Sequence, residues 1–465
     1  MSEQLWQRTA GELADLISSK QVSSREVIDA HLERIEEVNG HLNAVTVTLT
    51  ERAQAEADAA DAAIAADEDL GPLHGVPFTI KENIDVAGTA TTSGLPVFAD
   101  MVSAVDAPLV ERMRDAGAVP LGRTNLPELG LRVSTNNPLR GLTRNPWHPN
   151  LTAGGSSGGE GSAISSGMSP IGLGNDIGGS LRNPAFCCGI ASLKPTHGRL
   201  PHFSSFEHDQ NDPLSFYLMG TDGPMARSVD DLWTAMAILN GRDSRDPRSV
   251  TVAMESLEAP RKAAILREVP GGPCDPWVAD AVNKAADALV AAGWEITDAT
   301  PPEMERCQEV WAHLLSLDIG VIMQMARPML SEGLADSLDE MGENFPSESM
   351  PPPLVQAEFV RLSRLWSTFF DENPVVIMPT WTTKPFEHDA DLDSMGIPGL
   401  TNLLRCITPP NILNLPAACV PVGVSEGLAQ GVQCVADRWR DDLALNAAGA
   451  IEAQLGIITP IDPVV

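Results

Sequence analysis

Two serines sit in separate glycine beds, Gly154-Gly155-Ser156-Ser157-Gly158-Gly159 and Gly174-Asn175-Asp176-Ile177-Gly178-Gly179-Ser180-Leu181-Arg182, and nothing else in the chain restricts its backbone so strongly. Glycine has no Cβ, so it admits positive φ and lets a bound group approach main-chain N–H groups. A serine flanked by glycines therefore suits a nucleophile beside an oxyanion hole. Well before the first bed, one lysine closes an otherwise apolar run, Val76-Pro77-Phe78-Thr79-Ile80-Lys81. Burial disfavours the charged form of a lysine and lowers its pKa toward that of a usable base. Taken alone, Lys81 reads as a strand-end residue paired with Glu82 or Asp85. Beside two serine beds it reads as the base of a serine hydrolase.

The surrounding pattern alternates helix and strand. Ser23-Ser24-Arg25-Glu26 has capping-box spacing, and Ile28, Leu32 and Ile35 then share one helical face, with a stop expected at Asn39-Gly40. Residues 53–66 predict a second helix and residues 76–80 a strand that delivers Lys81. Asp106-Ala107-Pro108 reads as a cap with proline in the first turn of a helix ending at Gly117, followed by a buried strand over 118–122. The alternation recurs over 159–173 and 229–268, as in an α/β fold whose helices cover a largely parallel sheet. There is no internal repeat or low-complexity linker. Pro301-Pro302 and Pro351-Pro352-Pro353 bracket a helix-like stretch, read as an insertion over 301–372 on a single domain spanning 1–465.

Sixty-three acidic against thirty-one basic residues leave a net charge of −32, a field that repels nucleic acid and anionic membrane surfaces. The seven cysteines form no C-x-x-C pair and have no histidine at zinc spacing, which suits reduced thiols in a cytoplasmic protein. The first residues lack a basic stretch followed by an apolar one, and no segment offers ~18 consecutive apolar residues. A soluble, unexported protein is the expectation.

The stretch Gly71-Pro72-Leu73-His74-Gly75-Val76-Pro77-Phe78-Thr79-Ile80-Lys81-Glu82-Asn83-Ile84-Asp85 resembles the segment in which the amidase signature family carries its catalytic lysine. Thr124-Asn125-Leu126-Pro127-Glu128, Thr143-Arg144-Asn145-Pro146-Trp147, the two serine beds, Ser192-Leu193-Lys194-Pro195-Thr196 and Gly223-Pro224-Met225-Ala226-Arg227 continue the likeness in order. The resemblance implies one α/β/α domain on a large mixed, mainly parallel sheet. It also implies Ser180 as nucleophile, Ser156 as a serine after a cis peptide bond, and Lys81 as base. Neutral Lys81 would take the Ser156 proton while Ser156 takes that of Ser180, with no histidine involved. The N–H groups of Ile177, Gly178, Gly179 and Ser180 would hold the oxyanion, each donor typically worth ~2.7–4 kcal/mol. Neither cofactor nor metal is implied.

Several positions carry secondary expectations. Ser157 either holds Lys81 or caps the helix that follows, and Asp176 and Arg182 brace the nucleophile loop. Ala153, Asn175 and Ala429-Gln430 depart from the family pattern, Asn175 standing where serine or threonine is common. The run Gly154 to Gly158 also satisfies the G-x-S-x-G pattern of α/β-hydrolases, but residues 145–150 make a poor preceding strand. An anion-binding module using the glycine loops is a non-enzymatic alternative, disfavoured by the small basic complement. The glutaminase component of a tRNA amidotransferase, which needs partner chains, is an enzymatic one. The favoured reading is a monomeric or homodimeric hydrolase of small-molecule amides, with esters and carbamates as further substrates. Trp311, Met323, Met325, Met329, Phe359, Trp366, Phe369, Phe370, Trp381 and Phe386 supply candidate walls for an apolar or aryl group.

Overall fold

The computed structural model describes residues 4–205, 213–255 and 258–465. Eleven strands form one mixed sheet, in the spatial order Val45–Thr48, Val119–Thr124, Pro77–Lys81, Ile171–Asp176, Thr221–Ala226, Ala191–Lys194, Ala417–Ser425, Leu428–Ala436, Val375–Pro379, Lys262–Ile265, Glu295–Asp298. Helices cover it, as the α/β reading expects. Parallel pairing, however, is confined to the flanks, where Pro77–Lys81 and Lys262–Ile265 each run parallel to both neighbours. From Ile171–Asp176 across to Val375–Pro379 every ladder is antiparallel, so the sheet is mixed but not mainly parallel. One local cause is the link between Ala417–Ser425 and Leu428–Ala436. It consists of Glu426 and Gly427 alone, at φ 54° and 76°, and a two-residue hairpin of this kind joins only antiparallel strands.

Successive strand residues face opposite layers, so each buried strand feeds two cores. Val375 and Ile377 join Ala263 and Ile265 in one layer, whereas Val376, Met378 and Ala264 enter the other. The second layer also takes Trp311, Trp366 and Leu338 from the helices Met304–Ala326, Pro352–Glu372 and Glu332–Asn344, packed in one cluster with Leu181 of the second glycine bed and Phe186 of the helix that follows it.

The first long helix, Ser24–Leu42, begins with the expected Ser23–Glu26 capping box but does not stop at Asn39-Gly40. It runs to Asn43, which takes φ 52°. Asn39 accepts the N–H groups of Ala44 and Val45 and donates to the Val45 carbonyl, so it ties the helix end to the next strand from inside the last turn. The helix Pro108–Asp115 starts at proline as read, but Asp106 is not its cap. The Asp106 carboxylate takes the Ala87 N–H and the Arg114 guanidinium instead. No helix among the described residues is long and apolar enough to cross a membrane.

Candidate active site

Strand Pro77–Lys81 is buried along its whole length, and its parallel neighbour Ile171–Asp176 ends in Asn175 and Asp176. The two strand ends bring Lys81 and the second glycine bed together. The first bed folds over them from the loop before helix Gly158–Ser165, and the Ser157 N–H donates to the Ser180 carbonyl at 3.2 Å. Gly154 has φ 81° and lies so close to Pro184 that an added Cβ would come within 2.8 Å of its backbone. The Gly155–Ser156 peptide is cis, as the resemblance implied. Contrary to the sequence reading, a short strand, His148–Thr152, does precede this bed. It pairs with Arg144–Asn145 in a separate hairpin, bridges to Glu387 through Leu151, and stands outside the central sheet that an α/β-hydrolase elbow requires.

Lys81 is fully buried, and its Nζ donates to Ser156 Oγ at 2.7 Å and to Asn175 Oδ1 at 2.6 Å. Burial lowers its pKa to about 7, against the opposing pull of Asp222, Asp176 and Glu160. Neither acidic neighbour in sequence pairs with it. Glu82 is held by Arg140 and Thr46, and Asp85 accepts from Thr91 and the Ser205 N–H. Ser157 fulfils neither expectation. It occupies the N-cap position of Gly158–Ser165 without a side-chain capping bond, and its Oγ reaches the Asn175 carbonyl at 3.5 Å. The acceptor that fixes the lysine is Asn175, whose only sequence signal was its departure from serine or threonine. An amide oxygen performs the acceptor role without adding charge.

Asp176 and Arg182 form a buried bidentate pair, with both contacts at 3.0 Å. Burial pushes the Asp176 carboxyl up, but Arg182, Lys194 and Asn411 outweigh it and hold the pKa at about 2. The carboxylate accepts the N–H of Gly179 at 2.7 Å and that of Leu181 at 3.2 Å. Gly179 is thereby removed from the four expected oxyanion donors. The N–H groups of Ile177, Gly178 and Ser180 have no acceptor among the described residues. Asn183, which the sequence did not single out, crosses between the beds: its Nδ2 donates to the carbonyls of Gly155 and Gly178, and its Oδ1 accepts from Trp381.

Ser180, Ile177 and Gly178 lie on the floor of a cavity that opens to solvent. Its walls are largely apolar: Trp311 and Leu315 on one helix, Leu334, Leu338, Met341 and Phe345 on and just beyond the next, and Ile397 and Leu404 opposite. Of the residues expected to form such a wall, Trp311 alone is in it. Trp366 and Trp381 are sealed in the core, and Met325, near the end of the helix that carries Trp311, is turned to solvent. Two polar clasps close the structure around the cavity. The Glu128 carboxylate accepts the N–H of Ser331 at 2.6 Å and its hydroxyl at 2.7 Å, at the start of helix Glu332–Asn344. Arg132, on the wall, is neutralised by Asp389 and Asp391.

This arrangement can activate a hydroxyl with a near-neutral amine and meet a developing negative charge with unpaired N–H groups. The family model described as Amidase matches residues 26–445. The chain belongs to the amidase family. Amide hydrolysis is the activity that this membership carries, and it displaces the reading as an anion-binding module. Among curated members, an indoleacetamide hydrolase of Bradyrhizobium diazoefficiens is 39% identical over 463 residues, 98% of this chain and 88% of that protein. A subunit of the glutamyl-tRNA(Gln) amidotransferase of Moorella thermoacetica is 32% identical over 97% of both chains. Among solved structures, a bacterial aryl acylamidase of the amidase signature family superimposes with a TM-score of 0.82 at 26% identity, over 96% of each chain.

Proposed function

We propose that this amidase cleaves a linear carboxylic amide with a bulky apolar or aryl acyl group, through an acyl-Ser180 intermediate. The observation that carries the mechanism is the buried lysine, with its pKa near 7, bonded to Ser156 at 2.7 Å. Neutral Lys81 accepts the Ser156 proton, Ser156 accepts that of Ser180, and Ser180 Oγ attacks the amide carbonyl. Ser180 Oγ makes no hydrogen bond to a described residue, and the relay closes when substrate seats the side chain, since such contacts are often long in the free enzyme. The N–H groups of Ile177, Gly178 and Ser180 receive the oxyanion. Collapse expels the amine, protonated through Ser156, and water then cleaves the ester by the same relay in reverse, giving the carboxylic acid. Esters and carbamates pass through the same tetrahedral oxyanion and are secondary substrates.

The apolar cavity above Ser180, and relatives that bear the names indoleacetamide hydrolase and acylamidase, support the acyl preference. The deciding experiment compares kcat/KM for indole-3-acetamide, phenylacetamide, an anilide and an aryl carbamate with that for glutamine and malonamide. Preference for the aryl set is expected. Preference for glutamine, or glutaminase activity that appears only with a copurifying chain, would move the assignment to a component of an amidotransferase, as the 32% identical relative allows. The net charge of −32 speaks against nucleic acid as a partner. We read the chain as one amidase domain, monomeric or homodimeric and cytoplasmic, with 301–372 as a helical insertion at the cavity mouth. Limited proteolysis that released an independently folded 301–372 fragment would refute the single-domain reading.

A further inference from the structure

Trp311 is more than a wall of the cavity. Its indole Nε1 donates to the Ile177 carbonyl at 2.8 Å, and its ring lies over Gly178 so closely that a Cβ there would come within 2.8 Å of the ring edge. The peptide joining Ile177 to Gly178 is trans, so its C=O and N–H lie in one plane and point in opposite directions. A donor that captures the carbonyl on one side therefore fixes where the N–H points on the other. The Gly178 N–H has no acceptor among the described residues, and Gly178 lines the cavity beside Ser180.

The geometry points to Trp311 as a positioning residue that aims the Gly178 N–H at the oxyanion. This rests on the acyl-Ser180 reading above. The remaining bonds of the loop leave that peptide otherwise unheld. Asp176 grips the N–H groups of Gly179 and Leu181, and Asn183 reaches the Gly178 carbonyl, but among the described residues only Trp311 binds the Ile177 carbonyl. The same indole faces the cavity that would receive the acyl group. Packing of a ring against Trp311 thus presses it onto the peptide that stabilises the transition state, so a filled acyl pocket raises kcat as well as binding.

The test uses Trp311→Phe, which keeps an aromatic ring over Gly178 and removes the donor. With indole-3-acetamide, kcat should fall roughly ten- to a hundred-fold while KM changes less than about three-fold, as expected for an interaction realised in the transition state. Two inhibitors separate this from a general loosening. A boronic acid with the matching acyl skeleton, which places an oxygen where the oxyanion forms, should weaken by about the same factor as kcat. The product acid, indole-3-acetate, should bind almost as before. If Trp311→Phe binds the boronic acid as tightly as the parent enzyme, or loses boronic acid and product acid equally, the positioning role is overturned and the acyl-enzyme mechanism stands. If Ser180→Ala binds the boronic acid as tightly as the parent enzyme does, the acyl-Ser180 reading fails, and this inference with it.

Discussion

Two lysines in this chain are sealed from solvent, and burial lowers the pKa of each to about 7. Lys81 spans two side chains, Ser156 and Asn175. Lys194, at the end of the central strand Ala191–Lys194, gives its Nζ to the carbonyl of the adjacent Pro195 at 2.9 Å. Burial biases both amines toward the neutral form, yet among the described residues only Lys81 bonds a hydroxyl. Desolvation makes a base; the partner decides whether the base has work, and a depressed pKa by itself does not identify a catalytic residue.

The largest expected effects break the comparison at its functional side. Ser180→Ala and Lys81→Ala should each lower kcat/KM for the best aryl amide by roughly 10⁴-fold or more with circular dichroism unchanged, because each removes an indispensable part of one relay. Near-normal turnover in either variant would remove the assignment. Next, the parent enzyme should gain activity from pH 5 to pH 8 by about a hundred-fold, since protonated Lys81 cannot act as base and its pKa lies near 7. The sign is fixed by the chemistry: acid silences the site. A flat profile, with the chemical step shown to limit the rate, would contradict a lysine base.

A smaller effect tests the acceptor. Asn175→Asp places a negative charge beside the Lys81 ammonium and favours it, so the rise in activity should move to higher pH, with roughly ten-fold less activity at pH 7 and recovery above pH 9. Loss at every pH without displacement of the profile would mean that Asn175 only shapes the loop. The smallest effect completes the comparison. Lys194→Met should leave kcat/KM within about two-fold and the pH profile in place, because a buried amine with a single backbone acceptor is replaceable by an apolar chain of similar volume. A displaced profile would show that the two lysines are coupled.

Much of the candidate site was legible because its residues are chemically exceptional in their surroundings. A lysine ending an apolar strand and serines among glycines are improbable unless backbone and chemistry both require them. What stayed hidden depends on contacts between distant segments. Nothing in the run from Gly174 to Arg182 says that Asp176 turns back to occupy the Gly179 N–H, or that the acceptor for Lys81 is Asn175 and not Ser157. Helical spacing marked Trp311, Trp366 and Met325 as equivalent apolar positions. Which of them met the cavity, the core or solvent was set by how three helices lie on the sheet. The antiparallel centre was likewise obscured, since alternation of helix and strand reveals crossovers on the flanks and says little about strands joined by hairpins or long returns.

Glu128 carries a consequence for how such an enzyme changes its diet over evolutionary time. Its carboxylate anchors the start of helix Glu332–Asn344, while Gly130, two residues on, lies within 3.2 Å of Ser156 Oγ when measured from an added Cβ. One short loop therefore both moors a wall of the cavity and flanks Ser156. Leu334, Leu338 and Met341 on that helix line the cavity, while the clasp itself is made by Glu128 and Ser331 and not by those side chains. On the proposed reading, a lineage that keeps Glu128 and Ser331 should be able to alter its acyl preference from this helix, and grafting the helix between relatives should shift preference with little change in the pH profile.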